Sequence, residues 1–529
     1  MLRDELPASS AIKPDPIKHV IYLMLENQSF DRKLGDVKKI KPDINGIDPK
    51  NPNFNLDNKG NKILQKEITA LQMPLDPNHE VAHVAQQLGN NKDNSGFVQN
   101  LILNYPTSTA EDWQNVMGYY PYGFLPAWHA LAKECTVCDR WHASVPGPTW
   151  TNRFFALSGT SMGRINMWND ATDFKDVPEL FKQTQTNIFD LLDKKKISSR
   201  VYCGDFPIAL VLMHERAPEN LKHFRKMDQF YKDVKKPEHK FPQFCFIEPK
   251  YLGKDQNDDH PPHNTMKTEK LVADVYNSVR ANEALWKSSV IVIVTDEHGG
   301  LYDHVYPPAA IAPDNHFEEG YKFNQYGVRV PALIISPYAK KEVEHTLFDH
   351  TSFLKYLIEK WDLGQLGERT KQANSIGIAL DLDGKPRDNC LLSITIPDDK
   401  LISPKPHLEK HNENANHKAI HAFADFLNKK YKLTTDFAPL NKVTWAWDKL
   451  GETLEYYNYT NWSEWCRKGA DEHRQLRIEH TLKIIGNKLT MFQPKEKSKE
   501  TIPANMHANN DENADIDKVW NVSSQCNVM

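Results

Sequence analysis

Val290-Ile291-Val292-Ile293-Val294-Thr295-Asp296-Glu297-His298-Gly299-Gly300-Leu301-Tyr302-Asp303-His304 decides how the rest of this chain reads. Its first five residues are apolar and β-branched, the pattern of a strand buried on both faces. Two adjacent carboxylates, Asp296 and Glu297, follow where that strand leaves its sheet. In open α/β sheets this end faces ligands. Acids held there need a counter-charge, and a divalent cation is the usual one. Gly299 and Gly300 let the backbone turn tightly beside them. A solvated strand-to-loop corner is the plainer alternative.

Ile17 to Leu25 has the same layout and runs into Glu26-Asn27-Gln28-Ser29-Phe30-Asp31. If the two strands lie side by side, Glu26, Asn27, Asp296 and Glu297 converge into an oxygen-rich cage for a hard or borderline cation. A lone Glu-Asn after a strand is more often a turn, so adjacency is the expectation on which the cage depends.

Outward from these two stretches, strands are expected at 200–203, 243–247 and 328–336. Helices are expected at 80–88, 125–134, 188–195, 266–282, 351–362 and 417–431. Their alternation predicts an α/β fold, a central mixed sheet with helices on both faces. The Asn-, Asp-, Lys- and Pro-rich stretch 38–64 reads as a surface excursion. After about residue 440 the character changes, with Trp445, Trp447, Tyr456, Tyr457, Tyr459, Trp462 and Trp465 set among charges. The expected organisation is a catalytic domain over 1–440, a helical aromatic-rich extension over 441–493 and a disordered tail over 494–529. Such aromatics suit peripheral contact with a membrane surface, although packing onto the main body is commoner.

The 66 basic and 70 acidic residues leave a net charge of −4, so there is no electrostatic case for nucleic acid. No apolar run approaches the roughly 18 residues that span a bilayer. Met1 to Pro7 lacks the apolar core of a secretory signal. The expected location is the cytoplasm, or outside the cell after loss of a signal or export by a route that reads none. Seven scattered cysteines do not form a disulfide framework. Cys135 and Cys138 make a CxxC without a second pair and read as packing.

In Val145-Pro146-Gly147-Pro148-Thr149-Trp150-Thr151-Asn152-Arg153, proline and glycine set a rigid turn ahead of a helix. Thr149 falls in the first turn, where backbone N–H groups favour an anion such as a phosphoryl group. Its hydroxyl becomes a nucleophile only when a metal or base removes the proton. An N-cap at Thr149 or Thr151 is the competing reading. His79-Glu80-Val81-Ala82-His83 also spells HExxH, the zinc-protease pattern. Pro77-Asn78 places His79 at a helix entrance, however, and no third ligand follows at suitable spacing.

Five blocks in order resemble one family. Glu26 to Asp31 looks like Glu-Asn-Arg-Ser-Phe-Asp, and Gly147 to Arg153 like Gly-Pro-Thr-x-Pro-Asn-Arg. Asp259-His260-Pro261-Pro262, Asp296 to Val305 and Asp349-His350-Thr351-Ser352 supply the others. Together they resemble the bacterial and plant phosphoesterase family, which holds phosphatidylcholine-hydrolysing and non-specific phospholipases C and an acid phosphatase branch. Gln28 and Thr151 depart from its usual Arg and Pro. The resemblance implies an alkaline-phosphatase-like fold and a phospholipid or other phosphoester substrate. It implies Thr149 as nucleophile, with Glu26, Asn27, Thr149, Asp296 and Glu297 around a divalent metal (zinc, calcium or manganese). His79 and His260, with Asn27, would act in catalysis, and Asn152, Arg153, His304 and His350 would bind substrate. An acid phosphatase on soluble monoesters, an HExxH zinc metalloprotease and a non-catalytic membrane-binding module are the alternatives.

Overall fold

The apolar runs become the centre of an eight-stranded sheet. The strands, in chain order, are β1 (His19–Leu25), β2 (Phe54–Leu56), β3 (Lys62–Leu64), β4 (Thr136–Cys138) and β5 (Ser199–Cys203). They continue with β6 (Phe224–Lys226), β7 (Phe244–Glu248), β8 (Ser289–Thr295), β9 (Ala332–Ile335) and β10 (Val343–Glu344). The sheet order is β10-β4-β9-β8-β1-β7-β5-β6, with β2 and β3 forming a separate hairpin. β1 is parallel to both β8 and β7, whereas β9 runs antiparallel to β8 and to β4. The sheet is therefore mixed, as expected. This computed structural model describes residues 15–423 except 166, 168–182, 213, 217–219, 253–254, 318–319, 407, 409–413 and 421–422. The expected segments 441–493 and 494–529, and most of the helix expected at 417–431, lie outside the described residues.

Every residue of β1 and β8 is buried, and alternate side chains serve different cores. Val20, Tyr22 and Met24 join Val290, Val292 and Val294 on one face. Helices Thr149–Ser158 and His350–Trp361 cover that face through Phe154, Leu157, Phe353 and Leu357. Ile21, Leu23 and Leu25 join Ile291 and Ile293 on the other. There helices Pro126–Glu134 and Thr265–Ala281 contribute Trp128, Leu131, Val272 and Val275. Each such buried side chain contributes about 1.5–3 kcal/mol of transfer free energy. Helices thus lie on both faces, and the α/β sandwich with a mixed central sheet is the fold class the sequence predicts.

One feature departs from expectation, and the CxxC packs as expected. The surface excursion at 38–64 contains the β2–β3 hairpin. Its alternation is inverted: Phe54 and Leu56 are exposed while Asn55 points inward, donating to the Asn94 carbonyl and accepting from the Val98 N–H. The CxxC residues are free buried thiols, with Cys138 in one core and Cys135 in the other, so they pack on opposite sides of the sheet.

A buried ionic strut ties the loops after β1 and β8 to the entrance of β9. Arg329 donates from Nε to Asp303 at 2.9 Å and from Nη2 to Asp31 at 3.0 Å. Burial works against the Asp31 charge, but His304, Arg329 and the Gln65 amide outweigh it and hold the carboxyl down at about 2. Its contribution to stability is complete above the ordinary carboxylate value of about 3.9 and is lost as pH falls through about 2; it is worth about 2 kcal/mol. Denaturant unfolding over a pH series should show Asp31→Asn less stable than wild type near neutrality, with a flatter decline below about pH 4.

Candidate active site

The register Leu25↔Thr295 makes Glu26 and Asp296 leave the sheet as neighbours. β7, on the other side of β1, ends in a third buried acid, Glu248. Asp296 Oδ1 accepts from the backbone N–H of Asn27 at 3.3 Å and of Glu297 at 2.7 Å. Asn27 itself sits at φ 44, and Gly299 packs against it at φ 65. A Cβ on Gly299 would lie 2.7 Å from Asn27 Cβ and 2.8 Å from its carbonyl oxygen, so only glycine permits this approach.

Around this corner Glu26 Oε2, Asn27 Oδ1, Glu297 Oε1 and Thr149 Oγ1 are all buried without a hydrogen-bond partner. Leaving a buried polar atom unpaired costs about 1–3 kcal/mol. Oxygens of this kind are the donors that a hard or borderline divalent cation takes, so the residue types fit the expected metal. Asp296 differs, because Oδ1 holds two backbone N–H groups and Oδ2 accepts from Arg153 Nε at 3.0 Å. It anchors the cage walls at least as much as it offers a ligand. Thr149 is the first residue of its helix, one turn before Arg153, and the N-cap is Pro148. Neither Thr149 nor Thr151 therefore caps the helix.

Four expected substrate-binding residues do other work. Asn152 is buried and folds back on the turn before Thr149, accepting from the Val145 N–H and donating to the Gly147 carbonyl. Arg153 is buried among acids, 3.3 Å from Glu26, 3.0 Å from Asp296 and 3.7 Å from Glu248, so its guanidinium is spent within the protein. His350 donates from Nε2 to the Asp296 carbonyl at 2.6 Å and accepts from Trp141 Nε1 at 3.3 Å, leaving no free nitrogen. His304 belongs to the Arg329 strut, with Nδ1 on Asp31 and Nε2 on Asn45. The residue types matched the family blocks, but each side chain is engaged inside the fold, with Arg153 Nη1 alone of their polar atoms lacking a hydrogen bond.

The remaining two histidines have opposite environments. Both fix Nδ1 on a backbone carbonyl, His79 on Pro77 at 2.8 Å and His260 on Pro261 at 2.7 Å. Their rings meet edge to face at 5.6 Å. Burial disfavours the His79 charge, yet Glu297, with Oε1 3.9 Å from Nε2, and Asp76 outweigh it and raise the imidazole to about 9. His260 is pushed well below its ordinary value by burial and by the neighbouring His79 charge. Its Nε2 is buried and unpartnered. One ring is thus a charged donor and the other a neutral acceptor. HExxH is dismantled here: the helix begins at Val81, His79 precedes it, and His83 hydrogen-bonds Asn78 and Asn100 instead of facing His79.

Sequence reasoning missed Glu248, Tyr251 and Asn416. Glu248 carried the same signal as Glu26, an acid ending an apolar run. Asn416 had none, yet its Nδ2 donates to Glu26 Oε1 at 2.9 Å and its Oδ1 accepts from Trp150 Nε1 at 2.8 Å. Residues 17–364 match the Phosphoesterase family. The chain belongs to the phosphoesterase family. It is accordingly a phosphoric ester hydrolase. Non-specific phospholipase C1 of Arabidopsis thaliana is 30% identical over 401 residues, covering 71% of this chain and 73% of its own. Non-specific phospholipase C6 of the same plant is 34% identical over 361 residues, 64% of this chain and 66% of its own. Phospholipase C B of Mycobacterium tuberculosis is 25% identical over 388 residues, 64% and 72%. Among solved structures, a protein in the alkaline phosphatase superfamily from Vibrio parahaemolyticus aligns with 47% of this chain and 62% of its own, at 13% identity and a TM-score of 0.28. So slight a likeness adds nothing to the sheet order.

In this phosphoesterase, burial raises Asp296 to about 7 against the pull of Arg153, and burial with the Asp296 charge raises Glu26 well above the ordinary range. Arg153→Met should therefore cost about 3–5 kcal/mol in urea unfolding, because Glu26, Asp296 and Glu248 lose the guanidinium they share.

Proposed function

We propose that this phosphoesterase is a metal-dependent phospholipase C-type enzyme that cleaves phospholipids such as phosphatidylcholine to diacylglycerol and a phosphorylated head group through a phosphothreonine intermediate. The observation that carries this reading is the Thr149 hydroxyl, buried and unpartnered at the start of a helix beside unpartnered acid and amide oxygens. A threonine kept only for packing or capping would have its hydroxyl bonded. The relatives named phospholipase C support the lipid substrate over a soluble monoester.

Glu26, Asn27, Thr149 and Glu297, with Asp296, would hold the divalent cation; zinc, calcium and manganese all suit the donors. When bound there it would lower the pKa of the threonine hydroxyl and draw charge from the phosphoryl oxygens. The protein's own groups then divide the proton work. Thr149 Oγ forms a bond to phosphorus while its proton passes to the neutral His260 Nε2. The bond from phosphorus to the glycerol oxygen breaks, and that oxygen takes the proton of His79 Nε2, leaving diacylglycerol. In the second half, water attacks phosphorus and gives a proton back to His79. The bond to Oγ breaks, and Thr149 recovers its proton from His260. N–H groups of the helix start and the charged His79 would favour negative oxygens in the transition state. Arg153, His350 and Asn152 act one layer behind, holding Asp296 and the nucleophile turn.

Removing an unpaired buried hydroxyl leaves no partner stranded, so Thr149→Ala should melt within a degree or two of wild type. Its hydrolysis of phosphatidylcholine vesicles should fall at least about a thousand-fold. Thr149→Ala with near-normal turnover would eliminate the covalent scheme. Chelation should abolish wild-type activity and one of the three cations should restore it. Hydrolysis of a small phosphomonoester with none of the vesicles would assign the enzyme to the acid phosphatase branch instead.

A further inference from the structure

Beside the proposed cage, and sharing none of its residues, is a second group of metal-type side chains. Asp258, His263 and His417 are all buried, and one donor atom of each lies within 4.8 Å of one from each of the others. They come from two distant parts of the chain. Asp258 and His263 follow β7, while His417 lies in the segment 414–420, beyond residues 17–364 that match the family. The rings of His263 and His417 stack at 5.4 Å.

Their hydrogen bonds are those of a ligand set already oriented. A metal-bound histidine is held by its other ring nitrogen, bonded to a carboxylate or a backbone carbonyl. His263 Nδ1 and Asp258 Oδ1 meet at 2.5 Å, the donor atoms of both turned to one point, while His263 Nε2 is buried without a partner on the far side of the ring. His417 Nε2 donates to the Tyr251 carbonyl at 2.8 Å, which leaves Nδ1 as the basic nitrogen, 3.4 Å from the Asn414 N–H. Asp258 Oδ2 is buried and unpartnered. A buried carboxylate with one oxygen unpartnered, and with two buried imidazoles converging on it, is costly unless positive charge sits among them.

We propose that Asp258, His263 and His417 form a second divalent-cation site, a two-histidine, one-carboxylate centre of the kind that takes zinc or a similar borderline transition metal. Its position gives it a role. The Asp258 carbonyl accepts from the Glu26 N–H at 2.8 Å, and Asn416, next to His417, donates to Glu26 Oε1. An ion here fastens segment 414–420 to the catalytic layer and holds Glu26 from two sides. It is a tether for the cage wall, separate from the ion proposed to prime Thr149.

Zinc content tests this without any turnover. The full chain is stripped with chelator, equilibrated with zinc alone, desalted and assayed for metal by mass spectrometry. Wild type should carry a zinc that His263→Gln and His417→Gln each lose and Glu297→Gln keeps. Equal zinc in wild type and both histidine variants overturns the site. Should either histidine variant fail to fold by circular dichroism, X-ray absorption on zinc-loaded Glu297→Gln decides. Imidazole nitrogens at about 2.0–2.1 Å support the centre, and an oxygen-only shell overturns it. Loss of vesicle hydrolysis in Thr149→Ala bears on the phospholipase reading alone, so the two can fail separately.

Discussion

The parallel pairing of β1 with β8 is the constraint from which the rest of this structure follows. Its register puts Leu25 opposite Thr295, and the next residue on each strand is an acid. Neither strand has an exposed position, so the acids emerge into a closed layer instead of water. β7 adds Glu248 on the flank of β1. Carboxylates gathered in this way repel one another in a medium where repulsion is poorly screened. The fold must answer that repulsion with cations, and the choice of cations defines the site.

Arg153 answers part of it. One guanidinium meets Glu26, Asp296 and Glu248, and donates further to the carbonyls of Met24 and Leu25. That contact fixes the helix starting at Thr149 relative to the strand ends, because Thr149 and Arg153 are one turn apart on it. The charge that pairs the acids is therefore also the ruler that places Thr149. What Arg153 leaves open, chiefly Glu26 Oε2 and Glu297 Oε1, is buried and unpartnered, as are oxygens of Asn27 and Thr149. The division between spent and open oxygens separates the structural ion pairs from the cage.

This division explains what was legible in the sequence. Strand exits marked by acids, and a turn leading into a helix, are local patterns with a physical cause; they located β1 and β8 within a residue or two and put Thr149 near the start of a helix. Residue type alone does not tell whether a polar atom keeps a free lone pair. Asn152, Arg153, His304 and His350 lie in the family's blocks, yet every one is consumed by a partner that only the fold brings near. Arg329 and Asn416 show the converse. Each is far in sequence from what it holds, Asp31 and Glu26, and no periodicity or spacing points to such a contact. The hairpin at Phe54–Leu56 was hidden for a related reason, since its inward residue is an asparagine serving backbone groups of another segment.

The two histidines carry the same lesson into chemistry. His79 and His260 are both buried, both anchored through Nδ1 to a carbonyl, and in edge contact. Identical side chains in similar burial would ordinarily both be neutral. Glu297 breaks the symmetry by standing 3.9 Å from one Nε2, and the resulting charge on His79 then suppresses protonation of His260. A single carboxylate thus sets one ring as donor and its neighbour as acceptor, the separation of proton affinities that acid–base catalysis at one phosphorus centre requires. Glu297 is also among the open oxygens of the cage, so occupancy of the cage and the protonation of the histidine pair are linked through one side chain. Any cation that draws on the Glu297 charge weakens its hold on the His79 proton.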